Sequence, residues 1–158
     1  RLVGSEMCIR DRIITAPNID MGNSKIFSKI TSLSKKNKKN IFFKKSLGKK
    51  MYFSFLKYCR GVVGNSSSGV IEVPSFNIPT INIGDRQSGR IKAKSVVDCK
   101  NNIKSFNKAL NKSLSRSFLK KIKFTKNPYY KKNSATKLIS ILKKINIKNE
   151  TKKKFYEK

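Results

Sequence analysis

Short apolar runs rich in β-branched residues alternate along the chain with longer stretches in which apolar residues recur every three or four positions. The first pattern marks a buried strand, the second a helix with one apolar stripe. Residues 13–16 (IITA) predict a strand, broken by Pro17-Asn18. Ile26, Ile30 and Leu33 then fall at helical spacing, with Asn23 or Ser24 as the N-cap. Residues 40–44 (NIFFK) predict a second strand, 46–48 (SLG) a turn, and 49–59 a helix with Met51, Phe55 and Tyr58 on one face. Residues 61–64 (GVVG) predict a short buried strand, and 66–73 a helix ended before Pro74, whose ring excludes the preceding residue from helical geometry. A strand over 79–83 (PTINI) and another over 95–98 (SVVD) follow, then a helix over 101–114 carrying Ile103, Phe106, Leu110 and Leu114. Beyond Ser115 the pattern weakens until 135–145, which predict a last helix. Residues 147–158 form a basic polar tail without the apolar content to fold.

Strands and helices therefore alternate with short connections. That order predicts an α/β fold with an open, mostly parallel sheet covered on both faces. A chain of 158 residues is one domain's length. The folded region is expected to run from 13 to 146.

Charge changes the picture less than its size promises. Lys and Arg number 38 against 8 Asp and Glu, a net charge of +30. Such an excess suits a polyanion partner. The joint abundance of Lys, Asn, Ile and Ser points more strongly to drift of neutral surface positions in an AT-rich genome. There is no His, and Cys8, Cys59 and Cys99 have no metal-ligand spacing, so a zinc site is not expected. The cysteine usage fits a reducing cytosol. No apolar run reaches the ~20 residues of a membrane span, and no signal peptide is read.

The first twelve residues, RLVGSEMCIRDR, differ from the rest: three arginines, no lysine. They resemble the conceptual translation of a transposase-type sequencing adapter and are expected to be an artefact, with the chain a fragment of a longer protein. Beyond them arginine occurs only at 60, 86, 90 and 116. In a chain that uses lysine almost everywhere, these are positions where a planar, bidentate donor is needed. Acids are as sparse: between 13 and 149 only Asp20, Glu72, Asp85 and Asp98 occur. Two of those arginines and two of those acids fall within residues 64–90, GNSSSGVIEVPSFNIPTINIGDRQSGR.

That stretch has the layout of a ligand site. A short apolar strand running through Gly-Asn-Ser-Ser-Ser-Gly into a helix offers an anion unpaired N–H groups, hydroxyl donors and the positive end of a helix dipole. Gly69 is expected to keep the first turn open. Glu72, about a turn further on, is misplaced beside a phosphate but suits the hydroxyls of a ribose, so a nucleotide fits better than phosphate alone. The strand PTINI then delivers Gly84-Asp85-Arg86-Gln87 at its carboxyl end, where ligands collect in open α/β sheets, and Arg86 is placed to neutralise a diphosphate. Neither a GK[ST] P-loop nor a GxGxxG fingerprint is present. The plainer readings are a well-capped helix start, a first-turn Glu and a surface Asp85–Arg86 pair.

Four strings in order carry a resemblance: PNID at 17–20, SLG at 46–48, GNSSSGVIEVPSF at 64–76 and IPTINIGDRQSGR at 78–90. Together they resemble the hydrolysing UDP-N-acetylglucosamine 2-epimerases. The similarity runs from about residue 13 to 99, with family-like helices to about 145. The D-S-G-G and T-E-R-P-E strings of the non-hydrolysing relatives are absent.

The resemblance implies a GT-B architecture, two Rossmann-like, doubly wound domains facing a cleft, of which this chain is the C-terminal, nucleotide-binding half. It implies that Ser66 and Ser67 hold the diphosphate, Glu72 the ribose and Arg86 the phosphates, that Asn18 approaches UDP, and that the backbone at Leu47 meets the uracil. It implies conversion of UDP-N-acetylglucosamine and water to N-acetylmannosamine and UDP, for sialic or related nonulosonic acid synthesis, in the cytoplasm. No redox cofactor, metal, membrane or specific nucleic acid is implied, and the intact protein is expected to be a homo-oligomer. The family's acid/base carboxylates and a contributing His precede the matched region, so no catalytic residue is expected in this chain, whose partner is the missing N-terminal domain. Two other readings stand beside this one: the nucleotide domain of a GT-B glycosyltransferase, and a basic nucleic-acid-binding module supported by charge and by KNPYYKK at 126–132.

Overall fold

The computed structural model describes residues 11–17 and 23–145. The chain divides into two compact units between Cys59 and Arg60. In the first, β1 (Arg12–Thr15) and β2 (Ile41–Lys44) pair in parallel, with Arg12 opposite Ile41 and Thr15 opposite Lys44. A parallel pair needs a crossover, and α1 (Asn23–Lys36) lies within it. Ser34 Oγ donates to the Ile41 carbonyl at 3.1 Å, and the rings of Phe27 and Phe43 meet edge to face at 5.3 Å. α2 (Gly48–Tyr58) follows. Its buried residue is Leu56, with Tyr52 and Phe53 half-buried, while the predicted face of Met51, Phe55 and Tyr58 is exposed. Met51, Phe55 and Tyr58 share a broad apolar side with Tyr52 and Leu56, opposite Lys50, Ser54 and Lys57, and the chain buries the Leu56 edge of that side.

In the second unit, β3 (Val62–Gly64), β4 (Thr80–Ile83) and β5 (Val96–Cys99) form a parallel sheet with β4 in the centre. Side chains of β4 alternate between its faces. Ile81 and Ile83 join Val97, Cys99, Ala109, Phe118 and Ile122 in the core, beneath α4 (Ile103–Leu114) and α5 (Arg116–Ile122). Thr80 and Asn82 are buried on the other side, where α3 (Ser68–Ile71) packs and the Thr80 hydroxyl donates to the Gly69 carbonyl at 2.9 Å. The strands among the described residues are all parallel, which bears out the predicted α/β class.

Several local expectations shift. Val63 is 52% exposed rather than buried, because β3 is an edge of its sheet. The helix predicted over 66–73 is shorter: α3 ends at Ile71, and a 3-10 helix over Val73–Phe76 takes up the chain. Pro74 sits in its first turn, where no N–H is required. α4 turns Phe106, Ala109, Leu110 and Ser113 inward, while Ile103 is 70% exposed. α5, for which the pattern gave no sign, starts where Ser115 Oγ accepts the Phe118 N–H at 3.3 Å, and it buries Phe118 and Ile122. α6 (Ser134–Leu142) buries none of its residues. The tail at 147–158 and ten of the first twelve residues lie outside the described residues. No helix among the described residues is long and apolar enough to cross a membrane.

Candidate functional site

Because β3 and β4 are parallel neighbours, with Gly64 opposite Asn82, the loops that leave their carboxyl ends emerge on the same edge of the sheet. The first loop carries Asn65, Ser66 and Ser67 into α3. Both serines are exposed. The Ser66 hydroxyl accepts from the Ser68 N–H at 3.4 Å. The expected row of unpaired N–H groups is only partly there. The Gly69 and Val70 N–H groups donate to the carbonyls of Ser66 and Ser67 at 3.1 and 3.0 Å, because so short a helix winds directly from the loop. What the loop offers an anion is mainly its exposed hydroxyls. Gly69 has a different reason from the expected one: a Cβ there would lie 2.8 Å from Thr80 Cγ2, so glycine is what lets α3 approach β4.

Glu72 caps the C-terminal end of α3 and is half-buried. Its carboxylate has no hydrogen-bond or ion-pair partner among the described residues. The segment is steadied from behind by Asn127, whose Nδ2 donates to the Ile71 carbonyl at 2.8 Å and to Ser75 Oγ at 2.6 Å.

The second loop begins at Gly84, whose φ of 77° turns the chain out of β4 while its N–H still donates to the Cys99 carbonyl at 2.9 Å. A tight turn follows, Ser88 N–H to the Asp85 carbonyl at 2.7 Å, with Arg86 exposed within it. Gln87, next to Arg86, is buried, and its Nε2 donates to the Asn65 carbonyl of the first loop at 2.8 Å. Further along, Lys92 Nζ reaches both oxygens of Asp98 at 2.9 Å, and Asn82 Nδ2 donates to Asp98 Oδ1 at 2.7 Å. Burial alone would raise the Asp98 carboxyl, but the Lys92 and Asn82 hydrogen bonds and the Lys92 charge hold it below the ordinary value. Burial pushes the neighbouring Cys99 thiol up, and the Asp98 charge adds to that.

Ser66, Ser67, Glu72 and Arg86 all lie in the second unit, the two serines and Arg86 on loops from one sheet edge and Glu72 at the far end of α3. Leu47 belongs to the first unit, half-buried at the N-cap of α2. Asn18 lies outside the described residues. Gln87 and Asn82 stand in the quoted motif, yet sequence reasoning gave neither a role. A polar residue that is nearly fully buried is the informative sign, and burial is visible only in the fold.

The family model described as UDP-N-acetylglucosamine 2-epimerase matches residues 8–143. The chain is 36% identical over 148 residues to the polysialic acid biosynthesis protein P7 of Escherichia coli, covering 93% of this chain and 37% of that protein. It is 35% identical over 106 residues to the GDP/UDP-N,N'-diacetylbacillosamine 2-epimerase (hydrolyzing) of Campylobacter jejuni, 67% of this chain and 27% of that one. To the UDP-N-acetylglucosamine 2-epimerase of Neisseria meningitidis it is 36% identical over 81 residues, 51% and 21% respectively. The chain therefore spans well under half the length of these relatives.

Proposed function

The chain belongs to the UDP-N-acetylglucosamine 2-epimerase family, and from that premise we propose that it is the UDP-binding, C-terminal half of a hydrolysing member with the GT-B architecture. The observation that carries this is the common edge from which the GNSSSG and GDRQ loops emerge, with exposed Ser66, Ser67 and Arg86 and the unpartnered carboxylate of Glu72 close along the chain. The serine hydroxyls and the Arg86 guanidinium meet the diphosphate, a dianionic group that calls for several converging donors. Glu72 accepts from the ribose hydroxyls. Leu47 and Asn18 take the uracil and the approach to UDP.

The reaction is elimination of UDP from UDP-N-acetylglucosamine to a glucal, followed by addition of water to give N-acetylmannosamine. The product feeds sialic or related nonulosonic acid synthesis, which accords with the polysialic and bacillosamine names of two relatives. Removing a proton from a sugar carbon needs a base within reach of it. In this reading Glu72 is engaged by ribose, and the base comes from the N-terminal domain, where the family resemblance puts the acid/base carboxylates. What this half does for the elimination is to hold the leaving diphosphate and neutralise the charge it gains. The intact enzyme works in the cytoplasm as a homo-oligomer.

Calorimetric titration of the chain with UDP at low and moderate salt, with ADP as control, tests the reading. A preference for UDP that survives salt is expected. Affinity for any polyanion that collapses as salt rises would instead assign the binding to the lysine surface.

A further inference from the structure

Gln87 is out of place in its surroundings. Asp85, Arg86, Ser88, Gly89 and Arg90 are all exposed, while Gln87 between them is only 3% exposed. Its amide is satisfied at one end only: Nε2 donates to the Asn65 carbonyl at 2.8 Å, and the buried Oε1 has no hydrogen-bond partner among the described residues. Burying half of an amide unpaired is unfavourable, and an apolar side chain of similar length would fill the space without that penalty. Side chains that violate packing economy in this way concentrate at functional sites. The bond that remains joins the residue before Ser66 to the residue after Arg86.

Each loop has its own fastening to the fold. The second is held at its ends by Gly84 N–H to Cys99 and by Lys92 to Asp98; the first is held by the approach of Gly69 to Thr80. These fasten each loop to the sheet. The Gln87–Asn65 bond runs between the loops, and it ties the backbone beside Ser66 to the backbone beside Arg86, because neighbouring residues are fixed within ~3.8 Å of one another along the chain. We propose that Gln87 is a positioning residue that couples the two loops, so that Ser66 and Ser67 on one and Arg86 on the other meet a diphosphate as a single preorganised set. This rests on the UDP reading above. It adds that the spacing of the donors is set by a side chain that touches no ligand.

The test compares the full chain with Gln87→Met, which keeps the length and removes both amide ends, and Gln87→Glu, which keeps the shape and replaces the donor. In the ligand-free protein, amide hydrogen exchange should quicken in both 65–69 and 84–90, with the melting temperature held or raised for Gln87→Met. UDP affinity should fall roughly tenfold, the weight of one hydrogen bond's worth of positioning, while uridine, which lacks the diphosphate, binds as before. Adding Arg86→Ala to Gln87→Met should weaken UDP little beyond Arg86→Ala alone, since Gln87 acts through the same contact. Equal loss of UDP and uridine, additivity with Arg86→Ala, or exchange that quickens in 84–90 alone would each overturn the coupling. A wild-type chain with no UDP preference removes the nucleotide reading itself. The exchange data then still decide the tie between the loops, which quickening in both supports and quickening in one refutes.

Discussion

β2 and β4 are both four-residue parallel strands of β-branched and aromatic character, IFFK and TINI, and they are buried very differently. Among the described residues β2 pairs with β1 alone, and its Phe42 is 47% exposed. β4 lies between two partners, buries Thr80, Ile81 and Asn82, and has α3 on one face and the α4–α5 core on the other. A strand paired on both edges and packed on both faces holds its carboxyl-end loop to a fixed course, and the loop after β4 is where Arg86 and Gln87 stand. The arginines beyond residue 12 all fall on this unit, and within it the stretch 64–90 carries no lysine. Preorganised donors are useful only on a support that does not yield, and in this chain the second unit provides it.

The strongest way to break that contrast is at the core. Ile81→Ala, at 3% exposure, should cost about 2–5 kcal/mol, and Phe42→Ala well under about 1 kcal/mol. Urea denaturation followed by circular dichroism distinguishes them, and equal shifts of midpoint would mean that the two sheets are supported alike. Next comes the ligand face. Arg86→Ala should weaken UDP roughly tenfold to a hundredfold, the range for a hydrogen bond to a charged group, and leave uridine nearly unchanged by calorimetry. Loss of both in equal measure would take Arg86 off the diphosphate. Glu72→Gln should instead weaken UDP and uridine alike, by roughly threefold to tenfold. Uridine affinity unchanged by that substitution would remove Glu72 from the ribose.

The packing of α3 on β4 gives a comparable effect with a built-in control. Gly69→Ala forces a Cβ to 2.8 Å from Thr80 Cγ2 and should destabilise by about 1–3 kcal/mol. Thr80→Ser deletes that methyl group and keeps the hydroxyl that donates to Gly69, so the double variant should recover part of the loss. If Thr80→Ser brings no recovery, the glycine is required for something other than this approach.

How much of this was legible in the sequence follows the same division. The strands were readable to within a residue because β-branched runs between turn residues have few other uses, and the loops GNSSSG and GDRQSGR announced themselves by lacking lysine. What was hidden depended on neighbours that lie far along the chain. α5 has only Phe118, Leu119 and Ile122 to show in seven residues, too few to form a period, and it is a helix because Ser115 caps it and the β4–β5 face receives it. The buried edge of α2 was hidden because its apolar side is broad, running from Tyr58 and Met51 through Phe55 and Tyr52 to Leu56. Glutamine reads as surface, so the burial of Gln87 had no local sign at all. Gly69 suggests an open first helical turn, whereas its reason is the methyl group of Thr80, eleven positions on.

The smallest effect is a matter of pH, and it sharpens the comparison because it should be confined to one unit. Asp98 lies on β5 beside Asn82 of β4, and Lys92 bonds both of its oxygens. Its folded carboxyl is held below the ordinary value, so the folded state binds that proton less readily than the unfolded chain does. The resulting stability is fully present above the unfolded value of ~3.9 and is lost as pH falls through the lower folded value. Asp98 is half-exposed to solvent, which keeps the contribution small. Asp98→Asn should therefore quicken hydrogen exchange in β4 and β5 at neutral pH, and the difference from wild type should close as the acid limit is approached. Exchange in β1 and β2 should not respond. A difference that persists into acid would mean that the substituted amide disturbs the packing and that the Lys92 pair contributes nothing of its own. A response shared by both sheets would mean that the tie at Asp98 steadies more than the loop it fastens.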